Sequence, residues 1–538
     1  MNGRHPLITG TRVVSLGTLS SRVLGMIRDM AMAAIFGLVG GGVMDAFVIA
    51  YRIPNLFRRL FGEGALTASY LPVLTAELQR DRAAAWRLAS VMFTWVAIVL
   101  AGVVVLGELV FLAMWLIWGH LTGMPLLLGL SATLLPYLLL ICLAAQVSAT
   151  LHALGHFAVP ALTPVVLNLC WLAAAWLVVP WFAPDKAAQA MVVAVAILVA
   201  GVLQVGVQWP VLRSFGFRYD YHLPATREPL RRIGRAIAPM LFGLAVTQMN
   251  SFFDSVLAWG LAQAPDGPKR IGWLGGLIEY PLDRGAAAAL YYGERLYHFP
   301  LGVLGLAVAA AIFPLLSRHA ARGERERLGD DLSLGLRLVL CLGIPAGVGL
   351  IVLAQPIVTL LFERGQFTPA DTLRAARVVT CYGLGVWAFC AMPVAVRGFY
   401  ATADTATPVR VGAAVVVLNL ALNLALLWPL AENGLALATS IAANVQVIAL
   451  IVLFSRREVA LRWPQLGATL LRTLAASTAM AAACWFTLQA IPNADTLWAE
   501  LLRVAAPLAV SVVVYAATYR LLGGRELTQL LHGTVTDI

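Results

Sequence analysis

Arginine is among the most expensive residues to place in hydrocarbon, yet five arginines of this 538-residue chain stand inside apolar segments. Arg22 and Arg28 lie in SSRVLGMIRDMAMAAIFG, Arg52 and Arg58 in DAFVIAYRIPNLFRRLFGEGAL, and Arg295 in YYGERLYHFP. Each would cost about 2.5–3.5 kcal/mol against lipid even on the lenient insertion scale, so the five together come to roughly 12–18 kcal/mol. That rivals the net stability of a typical domain. The guanidinium fork matches phosphate and carboxylate oxygens in pairs. Arginines gathered in a hydrated chamber would therefore bind a multivalent anion such as a phosphate or diphosphate.

Pairing within the protein is the competing account. Asp29, Asp45, Glu63 and Glu294 are available, and Arg28–Asp29 and Glu294–Arg295 are adjacent in sequence. Arg22 and Asp29, seven apart, share one helical face, with Arg28 about 100° from Asp29. The bases nevertheless outnumber the acids and come from three separate segments, which favours a cationic chamber. Whether Arg52 faces it or pairs with Asp45 stays open at this level. His298, one turn from Arg295, reads as a polar spacer. Asp254 in TQMNSFFDSV and Asp404 in YATADTATP are candidates for a coupling cation, although Asp404 before Thr405 is equally well placed to cap a helix. No residues are expected in catalytic or metal-ligating roles: the acids are scattered beside arginines rather than paired at a surface, and no G-x-x-x-x-G-K-[ST] phosphate loop is present. The six cysteines all lie in apolar segments without C-x-x-C spacing and read as packing residues.

The elements that carry these residues are membrane helices. Of the residues, 60% are hydrophobic and 12% charged, about half the charged share of soluble domains, and apolar runs long enough to span a bilayer recur from end to end. Hydropathy and breakers predict fourteen helices near 10–37, 42–77, 88–119, 124–155, 157–183, 186–213, 231–263, 286–318, 328–355, 371–402, 407–430, 432–455, 465–490 and 497–522, the second bent at Gly62 and Gly64. The net charge of +11 comes largely from alternate loops, around Arg80–Arg87, Arg213–Arg235, Arg318–Arg327, Arg456–Arg462 and Arg520–Arg525. That asymmetry predicts both termini in the cytoplasm and gives no reason to invoke nucleic acid. Arg374 and Arg377 are exceptions to it. The N-terminus lacks the pattern of a cleaved signal peptide.

The chain also repeats itself. VVLNL occurs at Val165–Leu169 and again at Val416–Leu420; AYRIPN around Arg52 corresponds to GERLYHFP around Arg295, and Pro72 to Pro314. The expected fold is therefore an all-α polytopic membrane protein with about fourteen transmembrane helices. Two six-helix halves, 1–220 and 221–460, would surround a central cationic cavity, with two further helices in 461–538.

The blocks SSRVLGMIRDMAMAAIFG, DAFVIAYRIPNLFRRLFGEGALTASYLPVL, YYGERLYHFPLGVLGLAVAAAIFPLLS, LFERGQFTPAD and RGFYATADTATPV together resemble the MurJ/MviN lipid II flippases of the multidrug/oligosaccharidyl-lipid/polysaccharide exporter superfamily. The likeness covers nearly the whole chain. It implies export of lipid II, the undecaprenyl-diphosphate-linked peptidoglycan precursor, across the bacterial cytoplasmic (inner) membrane. It also implies essential cavity arginines at Arg22, Arg28, Arg58 and Arg295, acidic partners at Asp29, Asp45 and Glu63, and a lipid-tail groove on the two C-terminal helices. Two features depart from the family pattern: His298 stands where many relatives carry Glu, and the loop before YYGERLYHFP is longer. With no cofactor, the drive would be membrane potential or a Na+ or H+ gradient. Expected partners are lipid II, the phospholipid bilayer and cell-wall synthesis enzymes, with the chain acting as a monomer. The alternatives are a flippase for another lipid-linked glycan and a cation-coupled exporter of the same superfamily.

Overall fold

Long apolar runs closed by Asp, Thr, Gly and Pro fold into helices almost without exception. The computed structural model describes residues 6–60, 66–264, 267–271, 276–492 and 496–526. Asp81 starts one helix by accepting the amides of Ala83 and Ala84, Asp185 starts another through Ala188, and Thr496 a third through Ala499. Thr368 and Asp371 form a reciprocal capping box with Pro369 in the first turn.

Among the described residues, ten helices are long and apolar enough to cross a membrane, or up to twelve when two bent pairs each count as one span. One of those pairs, Leu16–Phe36 with Gly40–Leu60, turns through 106°. The bend lies in the Gly40–Gly42 run, where all three residues have positive φ. Gly62, Gly64 and Glu63, where a bend and an acidic partner were expected, lie outside the described residues.

The chain divides into two compact units, the first running to Ile278 with Asp283–Ala287 and the second comprising Glu279–Leu282 and everything from Ala288. In the first, α1 (Pro6–Phe36) packs along α7 (Ala158–Ala173), and α2 (Val43–Phe57) lies on α5 (Met124–Leu134). Helix α3 (Leu66–Arg80) and α4 (Arg82–Trp118) pack on α6 (Tyr137–Ala153). A short α8 (Val179–Phe182) leads to α9 (Lys186–Ser214), which packs on α6 and α7. Helix α10 (Leu223–Gly260) packs on α2, α3 and α4. Compactness thus groups α10 with the helices before it, whereas the sequence repeat makes it the first helix of the second half.

The second unit carries α11 (Ala286–Pro300) from Ala288 onward, continued through a π-turn into α12 (Leu306–Ala321), then α13 (Arg325–Val352). A short α14 (Ala354–Phe362) follows, over residues that the hydropathy reading left mostly in a loop. Next come α15 (Pro369–Gly383), α16 (Val386–Ala401), α17 (Ala406–Leu430), α18 (Glu432–Arg457), α19 (Trp463–Ala490) and α20 (Leu497–Leu521). The last two pack on each other and on α13 around Cys341, Met480, Tyr515 and Tyr519. Buried Glu526 anchors the chain that leaves α20, accepting from Tyr519 (2.7 Å) and Thr469 (2.8 Å) near Arg337. Arg374, an exception to the charge asymmetry, is bound to the carboxylate of buried Glu432.

Apolar burial drives helix association weakly in lipid, so close contact between small residues matters more there. A Cβ at Gly305 would stand 2.7 Å from the Cα of Cys390, and one at Gly347 only 2.5 Å from the carbonyl of Gly383. Gly347→Val should therefore separate α13 from α15 and destabilise the second unit by about 1–3 kcal/mol. A lowered thermal unfolding midpoint in detergent, with helical content retained at low temperature, is the expected result.

Candidate functional site

Arg28 is 6% exposed, on the face of α1 that lies against α7. Its Nε and Nη2 both reach Asp29 Oδ1, at 3.1 and 2.8 Å, and its Nη1 donates to Asn168 Oδ1 at 3.2 Å. The guanidinium carbon stands 4.4 Å from the Trp171 ring. Asn168 and Trp171, three apart on α7, share a face and take the cation from two sides. The amide of Asn168 also donates to the Ser21 carbonyl (3.0 Å), tying α7 to α1. Trp171 is fixed by its Nε1–H on Met32 Sδ and by edge contacts with Phe47 and Tyr51 at 5.4 and 5.2 Å. The internal clamp that the sequence allowed between Arg28 and Asp29 is formed, with a second polar partner and an aromatic wall around it.

Arg52 lies on α2, and Arg58 and Arg59 follow directly after it. Arg58 is half-buried and donates from Nε to Asn55 Oδ1 at 3.0 Å. Arg28 and Arg58 both lie within Coulombic reach of the buried Tyr137 phenol, which donates to Gln204 Oε1 at 3.3 Å. Arg52 Nη1 donates to the Ser251 carbonyl (2.6 Å) and Arg59 Nη1 to Gln248 Oε1 (3.0 Å), joining α2 to α10. Asp45 is fully buried and accepts the backbone N–H of Gly285 at 2.6 Å. Asp254, 2% exposed, lies on α10 two residues beyond Phe252, while Arg22 is exposed on α1.

In the second unit, Arg295 is half-buried on α11, donates from Nη2 to the Tyr291 hydroxyl (2.8 Å) and stacks over that ring at 4.6 Å. Glu294 beside it is buried. His298 packs against Tyr297, which stacks on Phe389 at 4.4 Å and meets Tyr382 at 5.0 Å. Asp404 takes the capping geometry: its Oδ1 accepts the amides of Ala406 and Thr407 at 3.0 and 2.9 Å. Burial pushes that carboxyl up, but the Thr407 hydroxyl, those amides and the charge of Arg457 hold it below its ordinary value. Among the described residues, no group of three His, Cys, Asp or Glu is placed to hold a metal ion.

Three residues outside the expected set matter here. Asn168 was visible only as part of the repeated VVLNL, and Trp171 as one apolar residue among many. An amide in the middle of a span is nevertheless a signal in itself, because it must find a partner. Arg284 is 8% exposed and lies 3.7 Å over the Trp259 ring while donating to that residue's carbonyl, so it pins the long loop to the end of α10.

These features define the class: a polytopic helical membrane protein of the transporter type, with arginines held inside its spans. The chain belongs to the MurJ family, whose model, described as "Lipid II flippase MurJ", matches residues 32–504. It is 35% identical over 444 residues to the "Probable lipid II flippase MurJ" of Vibrio cholerae serotype O1, covering 80% of this chain and 79% of that one. Its fold is similar to a solved lipid II flippase MurJ in an inward closed conformation, with a TM-score of 0.71 at 23% identity over 95% of this chain and 99% of the other. It is also similar to an inward-facing multidrug resistance MATE family transporter of the MOP superfamily, with a TM-score of 0.63 at 12% identity over 81% and 94% of the two chains.

Asn168→Leu should remove the amide's bonds to Arg28 Nη1 and the Ser21 carbonyl and cost about 1–3 kcal/mol. Trp171→Phe, which keeps a ring face, should lose less stability than Trp171→Leu. Thermal unfolding in detergent, followed by circular dichroism, orders the three variants. Equal stability of Asn168→Leu and wild type would contradict the clamp.

Proposed function

We propose that this protein is a flippase that carries lipid II, the isoprenoid-diphosphate-linked peptidoglycan precursor, from the inner to the outer leaflet of the bacterial cytoplasmic membrane. It is a transporter and makes or breaks no covalent bond. The observation that carries this reading is Arg28, a guanidinium buried in a membrane helix, oriented by Asn168 and Trp171, with Arg52 on α2 and Arg58 and Arg59 just past its end. Against these four bases the described buried acids on the same helices and on α10 are Asp29, Asp45 and Asp254, and the remaining excess of base favours an anionic cargo. A diphosphate offers the fork-shaped recognition that guanidinium groups provide.

In this proposal Arg22, Arg28, Arg52 and Arg58 of the first six-helix half and Arg295 of the second bind the diphosphate. The acidic or gating partners are Asp29, Asp45, Glu63, Glu294 and His298. The isoprenoid tail follows a groove on α19 and α20, the addition at 461–538 to the halves 1–220 and 221–460. Alternating access of the two halves exchanges the side to which the head group opens. Both termini face the cytoplasm. Membrane potential, at about 2.3 kcal/mol per charge per 100 mV, or a Na+ or H+ gradient acting at Asp254 or Asp404, supplies direction. The protein works as a monomer alongside cell-wall synthesis enzymes.

The likeness in fold to a multidrug transporter supports a second reading, a cation-coupled exporter. An organic-cation cargo would call for carboxylates and aromatics rather than an excess of arginine. Depleting the protein in its host and assaying lipid II on the outer leaflet separates the readings. Lipid II should accumulate and become inaccessible from outside. Wild type should reverse this, while Arg28→Ala, Arg58→Ala and Arg295→Ala, each at normal membrane level, should not. Unchanged lipid II accessibility with another lipid-linked glycan stalled would move the substrate assignment. Full complementation by all three variants would remove the arginines from the site.

A further inference from the structure

The second unit holds a cavity of about 580 Å³ that the arginine site does not use, lined by residues of α14, the start of α15, the end of α19 and the start of α20. Along α13, α19 and α20 this is the end opposite the Arg-rich turns at 456–462 and 520–525. Its charges do not cancel in pairs. Glu500 lies 3.5 Å from Arg364. Glu363 is instead held by two hydroxyls, Thr372 at 2.6 Å and Thr359 at 3.1 Å, both on Oε2. Among the described residues its Oε1 accepts no hydrogen bond. Arg503 forms no ion pair among the described residues, and its Nε is buried without a partner. Glu363 and Arg503 thus line one cavity, neither in an ion pair among the described residues.

We infer that this cavity is a binding site for the head group of a zwitterionic phospholipid, its ammonium on Glu363 and its phosphate on Arg503. With Glu500 offset by Arg364 outside the lining, the remaining carboxylate and guanidinium suit a dipolar ligand better than a simple anion or cation. The surroundings select a lipid. Trp485 and Phe486 near the end of α19 and Trp498 and Leu502 at the start of α20 are all exposed, the arrangement of an interfacial aromatic belt with apolar surface for acyl chains. The volume lies within the range of small-ligand sites. The inference stands independently of what the arginine site carries.

The test is native mass spectrometry of the full-length protein released from vesicles of equimolar phosphatidylethanolamine and phosphatidylglycerol. Wild type should retain the ethanolamine lipid in about tenfold excess, the effect of one charge-assisted hydrogen bond. Glu363→Gln should bring the ratio near parity, and Arg503→Gln should lower retention of both lipids about tenfold, each with an unchanged thermal midpoint; Arg503→Lys should restore part of that retention. If one variant does not fold, the other reads the same site. Equal retention of the two lipids by wild type would overturn the inference, as would an excess that survives Glu363→Gln or a total retention unchanged by Arg503→Gln. Retention abolished by a soluble peptide ending in D-alanyl-D-alanine, with no competition from added ethanolamine lipid, would assign the cavity to a peptide and equally overturn it.

Discussion

The structure of the first unit depends on keeping one positive charge where a bilayer would expel it. Arg28 is held by Asp29 beside it, by Asn168 from α7 and by the face of Trp171. None of these contacts would be worth much in water. Inside a span, the alternative is a desolvated cation without a partner, which costs far more than any one contact returns. That constraint fixes the pairing of α1 with α7, the setting of Trp171 among Met32, Phe47 and Tyr51, and through those rings the position of α2.

Other polar groups follow the same rule. Arg52 and Arg59 tie α2 to α10 through a carbonyl and an amide, Asp45 receives the Gly285 amide, and Arg284 lies on Trp259. In the second unit, Glu526 joins α13, α19 and the end of α20, and Arg374 is satisfied by Glu432. Between these points the helices approach through glycines, with Gly347 against Gly383 and Gly305 against Cys390. Polar bonds select the partners, and small residues set how closely those partners come.

Much of this was legible in the sequence. The helices follow hydropathy closely, and the arginines inside them demand polar partners because their cost in lipid is high. The adjacency of Arg28 and Asp29 already contained their ion pair. What hydropathy could not supply was partnership across the fold. A helical period says that Arg28 shares a face with other residues of α1, but not that Asn168, 140 positions away, lies opposite. Helix α14 was missed because nine residues are too few for a span and too apolar for an ordinary loop. The capping of α17 by Asp404 was one of two readings that the sequence allowed, since the same carboxylate next to a turn serves either a helix end or a cation. The cavity at Glu363 and Arg503 joins four helix ends that no local pattern brings together.

In the proposed function, the arginines inside the spans recognise a diphosphate. The most direct measurement is the affinity of the purified full-length protein for three lipids with one isoprenoid chain and different heads: diphosphate, monophosphate and free alcohol. The account predicts at least about a tenfold loss for each phosphate removed, in keeping with the strength of charge-assisted hydrogen bonds, and a steep fall for the diphosphate when Arg28 is replaced by Gln. Equal affinity for all three lipids would mean that the protein reads only the chain, and the arginines would then be structural.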